Sequence, residues 1–151
     1  MNSREFYKKL GEAIYRIDGA YDVFARNSKV KPNMLWLLCA LRDGQPHSQC
    51  QICRDWHFPR TTVNTLVKEL EDKDYIQMSP IPGSKREMHI MLTDSGREYA
   101  SEIVAPVWEA EDALFMQFFA GKDLSFIHEL HAFADAMEAF FENTKSERSL
   151  P

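Results

Sequence analysis

Between residues 60 and 98 the hydrophobic period changes twice, and few folds accommodate that order of elements. Over residues 60–70 the apolar positions are Val63, Leu66, Val67 and Leu70, which share one face of a helix at about 100° per residue. After Asp74 the period shortens to two. Residues 75–78 and 87–92 read as short strands, the second with Met88, Ile90 and Leu92 on one side. Pro80, Pro82 and Gly83 mark a hairpin between them, and its tip carries Ser84, Lys85 and Arg86. Thr93 then has the chemistry of a helix N-cap, with Asp94 where the positive end of the macrodipole favours an anion.

The flanking segments are helical by the same test. From Phe6 onward apolar residues fall at 6, 10, 13, 14, 17, 20, 21 and 24, which predicts a first helix of about 25 residues. Pro32 precedes residues 34–41, apolar all round and closed by Asp43, Gly44 and Pro46, a pattern expected of a buried helix. Ser48 and Gln51 have the form of a capping box, predicting a short helix from 49 to about 56 that His57, Phe58 and Pro59 break. Pro59 suits the entrance of the next helix, whose first N–H needs no partner. In the long helix after Thr93, Pro106 should produce a kink. Gly121 separates it from a last helix containing Leu124, Ile127, Leu130, Phe133, Met137, Phe140 and Phe141, and the polar tail 143–151 is expected to fray.

With 151 residues, 44% of them hydrophobic and 27% charged, the chain is expected to form one domain, 1–151, with a sizeable core. Its longest apolar run, residues 34–41, is far short of the roughly 20 residues that cross a bilayer. The charged N-terminus lacks the form of a secretory signal, and three cysteines are too few for a disulfide framework, so the expected compartment is the cytoplasm. The net charge of -5 looks wrong for a nucleic-acid binder. The acid, however, is concentrated in residues 101–151, with ten Asp and Glu against three Lys and Arg, while residues 1–44 carry an excess of base. Neither residues 56–68 nor residues 75–86 contain an acid, so two windows are locally positive.

Two helices joined by a tight turn, the second polar on its outer face, followed by a hairpin with a basic tip, make a winged helix-turn-helix. The expected fold is therefore mainly α with a small β-hairpin wing, the winged part covering about 30–98. Helices at about 3–28 and 99–144 carry more apolar surface than such a unit covers, which asks for a second copy. Double-stranded DNA is the expected partner. Thr61, Thr62, Asn64 and Thr65 would meet base edges or phosphates from the second helix, Arg60 and Lys68 would hold phosphates at its ends, and Lys85 and Arg86 would project from the wing.

The order of elements resembles the MarR (multiple-antibiotic-resistance regulator) family of bacteria, best from about Val30 to Glu98. Residues 60–76 are similar to its recognition helix and the lead into its wing. Leu92, Thr93, Gly96 and Arg97 reproduce its Leu-Thr-x-x-Gly-Arg segment, the most specific match. The resemblance implies an obligate homodimer built from the first helix and the two C-terminal ones, and often a small-molecule effector that releases DNA; the expected function is that of a bacterial transcription regulator, a repressor. It also implies an effector pocket among the first, second and fifth helices, to which Tyr15, Trp36 and Leu38 would contribute. The chain departs from the family where the wing usually shows Asp-Arg-Arg and here has Ser84, Lys85 and Arg86. His57 and Asp74 stand at turn positions that favour Gly, and both side chains tolerate the left-handed region.

Other chemistries find less support. His47, Cys50, Cys53 and His57 have zinc-ligand types and spacing, but Cys53 aligns with a small core position of the family, so no metal is expected. A redox role for Cys50 needs a neighbour that stabilises its thiolate. His128 and His131 share a helix face without carboxylates and read as surface or interface residues. No nucleophile motif, phosphate loop or carboxylate pair points to an enzyme, and no cofactor is implied. The competing reading is a dimeric winged-helix protein-interaction module that leaves its DNA face unused.

Overall fold

Two devices start the first three helices, a side-chain cap and a proline. Asn2 Oδ1 accepts the Glu5 N–H at 2.9 Å and opens α1 (Ser3–Asn27). Pro32 occupies the first turn of α2 (Pro32–Leu41). The two-residue strand β1 (His47–Ser48) ends on the serine whose Oγ accepts the Gln51 N–H at 3.1 Å and opens α3 (Gln49–Asp55). The chain then continues through α4 (Arg60–Glu71), β2 (Ile76–Pro80), β3 (Met88–Leu92), α5 (Asp94–Phe118) and α6 (Ser125–Arg148). The computed structural model describes residues 1–84 and 87–148, with side chains given as far as Thr144 at the C-terminal end.

The structure differs from the sequence reading in three places. β1 pairs antiparallel with β3, so the hairpin belongs to a three-stranded sheet of order β1-β3-β2. A two-residue strand is too short to show a period. β2 runs two residues past the expected end, pairing Pro80 with Met88. α6 continues to Arg148 instead of fraying from residue 143. α5 runs unbroken through Pro106. Positive φ at His57 (52°) and Asp74 (57°) agrees with the turn positions read from sequence.

The residues group into two compact units, Met1–Glu109 and those from Ala110 onward. In the first unit α2 is the centre of the core: Leu35, Leu37, Leu38 and Leu41 are all fully buried or nearly so. Around them pack Ala25 of α1, Ile52 of α3, Val63, Leu66, Val67 and Leu70 of α4, Ile90 and Leu92 of β3, and Ala100, Ile103, Val104 and Val107 of α5. The all-round apolar character of α2 is what lets it meet every neighbour. In the second unit, Phe119 stacks on Phe126 with ring centroids 5.9 Å apart, across the turn that Gly121 makes at φ 75°. Among the described residues no helix is long and apolar enough to cross a membrane.

Candidate nucleic-acid interface

The period of α4 divides its residues between core and solvent. Val63, Leu66, Val67 and Leu70 are buried and fix the rotation of the helix, which leaves Arg60, Thr61, Asn64, Thr65 and Lys68 exposed. Thr62 is half-buried at the edge. Lys68 meets no carboxylate among the described residues, so its ammonium is available to an anion. The Thr65 hydroxyl donates to the Thr61 carbonyl at 2.9 Å and keeps its lone pairs for an incoming donor. Glu69, the first acid of the helix, is engaged by the Lys31 ammonium. The outer surface is thus polar, with cations at both ends.

The wing is anchored by the segment from Leu92 to Arg97, in which Thr93, Gly96 and Arg97 each make a distinct contact. Thr93 N–H donates to the Tyr75 carbonyl at 3.0 Å, and its hydroxyl donates to the Asp74 carbonyl at 2.7 Å while accepting the Gly96 N–H at 3.1 Å. One side chain therefore caps α5 and ties it to the turn leaving α4. Gly96 lets the two backbones touch, since a Cβ there would lie 1.8 Å from the Tyr75 carbonyl oxygen. The Arg97 guanidinium donates to the Leu92 carbonyl at 2.8 Å and pairs with Asp94. The start of α5 is thereby tied both to the end of β3 and, through Thr93 and Gly96, to the segment that joins α4 to β2. At the far end Gly83 takes φ 83°, Ser84 N–H donates to the Ile81 carbonyl at 3.0 Å, and Ser84 Oγ accepts the Glu87 N–H at 3.0 Å. Lys85 and Arg86, expected at the tip, lie outside the described residues.

Cys50 is exposed, with its sulfur 4.0 Å from the Arg60 guanidinium. A hydrogen bond with the Glu87 carboxylate, then burial, raises its thiol above the usual cysteine range, although Arg60 opposes the shift. The neighbour that a reactive thiolate needs is therefore outweighed by an acid. Cys53 is half-buried against the core, the position expected of a small hydrophobe.

A cavity of about 840 Å³ opens between α1, α2, the turn after α3, and α4. Its lining includes Asp18 and Asp22 of α1, Lys31, Trp36 of α2, Trp56 and Phe58 of the turn after α3, and Thr61, Thr62 and Thr65 of α4. Of the three residues expected in an effector pocket, Trp36 lines this cavity. Leu38 does not: it is wholly buried in the core, because α2 has apolar neighbours on every side. Tyr15 points to solvent, 78% exposed. No α5 residue lines the cavity, where the family reading had expected the fifth helix. Asp18, Asp22 and Trp56 were not singled out from sequence. Asp18 and Asp22 stand four apart on one face of α1, which was a legible signal; Trp56 follows α3 and carries none.

A family model described as a winged helix DNA-binding domain matches residues 30–96. The HTH-type transcriptional repressor NicR of Pseudomonas putida is 27% identical over 101 residues, which are 67% of this chain and span 64% of the length of that relative. NMB1585, a MarR family regulator from Neisseria meningitidis, shares the fold with a TM-score of 0.80 at 24% identity, over 95% of this chain and 99% of that one. BpsR of Bordetella bronchiseptica, whose DNA binding is regulated by 6-hydroxynicotinic acid, gives a TM-score of 0.63 at 19% identity, over 83% of this chain and 98% of that one. A helix with a polar outer face and a wing braced by Thr93 and Gly96 agree with the family model in marking residues 30–96 as a winged helix DNA-binding domain, in a fold shared with the MarR family regulator NMB1585.

Proposed function

We propose that the chain is a homodimeric transcription repressor of the cytoplasm that acts by binding DNA, not by catalysis, and is released from it by a small molecule. The observation that carries the reading is the rigid presentation of Arg60, Thr61, Asn64, Thr65 and Lys68 on a helix whose opposite face is wholly buried. Such a helix fits the major groove, where Asn, Thr and Arg side chains bond base edges and phosphates. Thr62, half-buried at the edge, would meet the groove wall. Lys85 and Arg86 would reach the backbone or the adjoining minor groove from the wing.

Two further observations support the rest. Phe6, Tyr7, Ile14, Tyr15 and Ile17 of α1 are exposed in the single chain, as are Leu114, Phe115, Met116 and Phe118 of α5 and Phe140 and Phe141 of α6. That much apolar surface on a monomer favours association with a second copy. A two-fold dimer would then read a pseudo-palindrome with half-sites about one helical turn, roughly 10 bp, apart. The cavity abuts α4, so a ligand in it could alter how the helix meets DNA. The relatives named above include a repressor and a protein whose DNA binding a small acid regulates.

The test is fluorescence anisotropy on fragments of the chain's own promoter region across a salt series. Arg60→Ala and Lys68→Ala should each weaken binding across sequences and lower the slope of log affinity against log salt by about one. Unchanged affinity in both variants would refute the DNA-binding reading. A dimer that ignores promoter DNA and heparin at low salt, and instead copurifies with another protein, would be the interaction module.

A further inference from the structure

We infer that the cavity between α1 and α4 takes an organic cation built on an aromatic ring, with its charge against Asp18 and Asp22 and its ring against Trp36 and Trp56. The inference rests on reading the cavity as the effector site and adds the ligand's chemistry.

The volume of about 840 Å³ lies inside the range of roughly 300–1,000 Å³ that holds small organic ligands. Its charge lining is one-sided. Asp18 and Asp22 lie one turn apart on α1, and neither meets a base among the described residues. The one base in the lining, Lys31, has its ammonium engaged by Glu69, so it offers little to an anion. An aromatic carboxylate entering here would face two like charges, whereas a ring bearing a positive charge would be attracted by both. The aromatic walls act in the same direction. Trp36 is half-buried, with its ring centroid 4.5 Å from that of Tyr21 and 5.5 Å from that of Trp56, and Trp56 is 38% exposed, so one wall of the cavity is an aromatic cluster. Indole faces attract cations more strongly than the other aromatic rings do. The hydroxyls of Thr61, Thr62 and Thr65 supply orienting hydrogen bonds, and because they belong to α4, occupancy bears on the helix that meets DNA.

The experiment is isothermal titration calorimetry of the full chain at low salt with three bicyclic probes of similar size: 1-methylquinolinium, 1-naphthol and 1-naphthoate. Each probe is also added to the promoter-binding assay. The cation should bind about tenfold more tightly than the carboxylate, with the neutral probe between them. Raising the salt should narrow the gap, and the Asp18→Asn/Asp22→Asn double variant, its fold checked by circular dichroism, should abolish it. Binding of 1-naphthoate equal to or tighter than that of 1-methylquinolinium overturns the inference, whether or not the double variant folds. If 1-naphthoate also releases DNA, the effector reading survives that loss. If 1-methylquinolinium binds with the expected preference but no probe alters promoter affinity, the cation site stands and the effector reading falls. Absence of binding by all three overturns both.

Discussion

Replacing Gly96 by Ala probes the joint that sets the wing against α4. The added Cβ would sit 1.8 Å from the Tyr75 carbonyl oxygen and 2.7 Å from its carbon, where real Cβ contacts essentially never fall below 3.0 Å. The obstacle is backbone on both sides, so no side-chain rotamer relieves it. Tyr75 is further fixed by its carbonyl accepting the Thr93 N–H at 3.0 Å and by its ring stacking on Tyr99 with centroids 4.5 Å apart. Separating the elements by more than an ångström would break the Thr93 bonds to the Tyr75 and Asp74 carbonyls as well. Overpacking a well-packed site costs about 1–3 kcal/mol, and a lost buried hydrogen bond adds about 1. The expected destabilisation is therefore at least about 3 kcal/mol, against an Ala helix preference of no more than about 1 in its favour. For a chain of this size the net loss of about 2 kcal/mol lowers Tm by roughly 4–8 °C. Urea denaturation at fixed protein concentration measures it, since association shifts apparent stability. A Gly96→Ala variant within about 0.5 kcal/mol of the parent would refute the close-approach argument.

Other expectations follow from single contacts. Ser48→Ala removes the cap of α3 and should cost about 1 kcal/mol, while Ser48→Thr keeps most of it; equal melting of parent and Ala variant would show that the hydroxyl contributes nothing. Because Glu87 holds the Cys50 thiol protonated, Glu87→Gln should speed alkylation of Cys50 by iodoacetamide at pH 8, followed by peptide mass spectrometry; an unchanged rate contradicts the assignment. Hydrogen bonds from the Ser125 N–H and hydroxyl lower the Asp123 carboxyl below its ordinary 3.8. A depressed folded value means that the stabilisation is present above 3.8 and is lost as pH falls through the lower folded value. The Ser125 amide resonance should accordingly titrate below pH 3.8, and a midpoint above it would refute the cap.

The chain's own order of residues determined a good deal. The spacing of Val63, Leu66, Val67 and Leu70 settled which side of α4 is buried, and therefore that Arg60, Asn64, Thr65 and Lys68 face outward, because the helical period converts sequence position directly into direction. Ser48 and Thr93 marked helix starts for the same reason: a cap is a bond between residues three apart. Leu38 shows where such local rules end. A helix apolar all round has no unique face, so its pattern could not say whether Leu38 lines a cavity or fills the core, and only its neighbours placed it in the core. The pairing of His47 with Ile90 joins residues far apart in the chain through backbone groups alone, which leave no imprint on side-chain pattern. The contact of Gly96 with Tyr75 and the gathering of Asp18 and Asp22 beside Trp36, Trp56 and Thr65 were likewise decided in three dimensions. Periodicity orients a residue about its own axis; what stands opposite depends on how the axes pack.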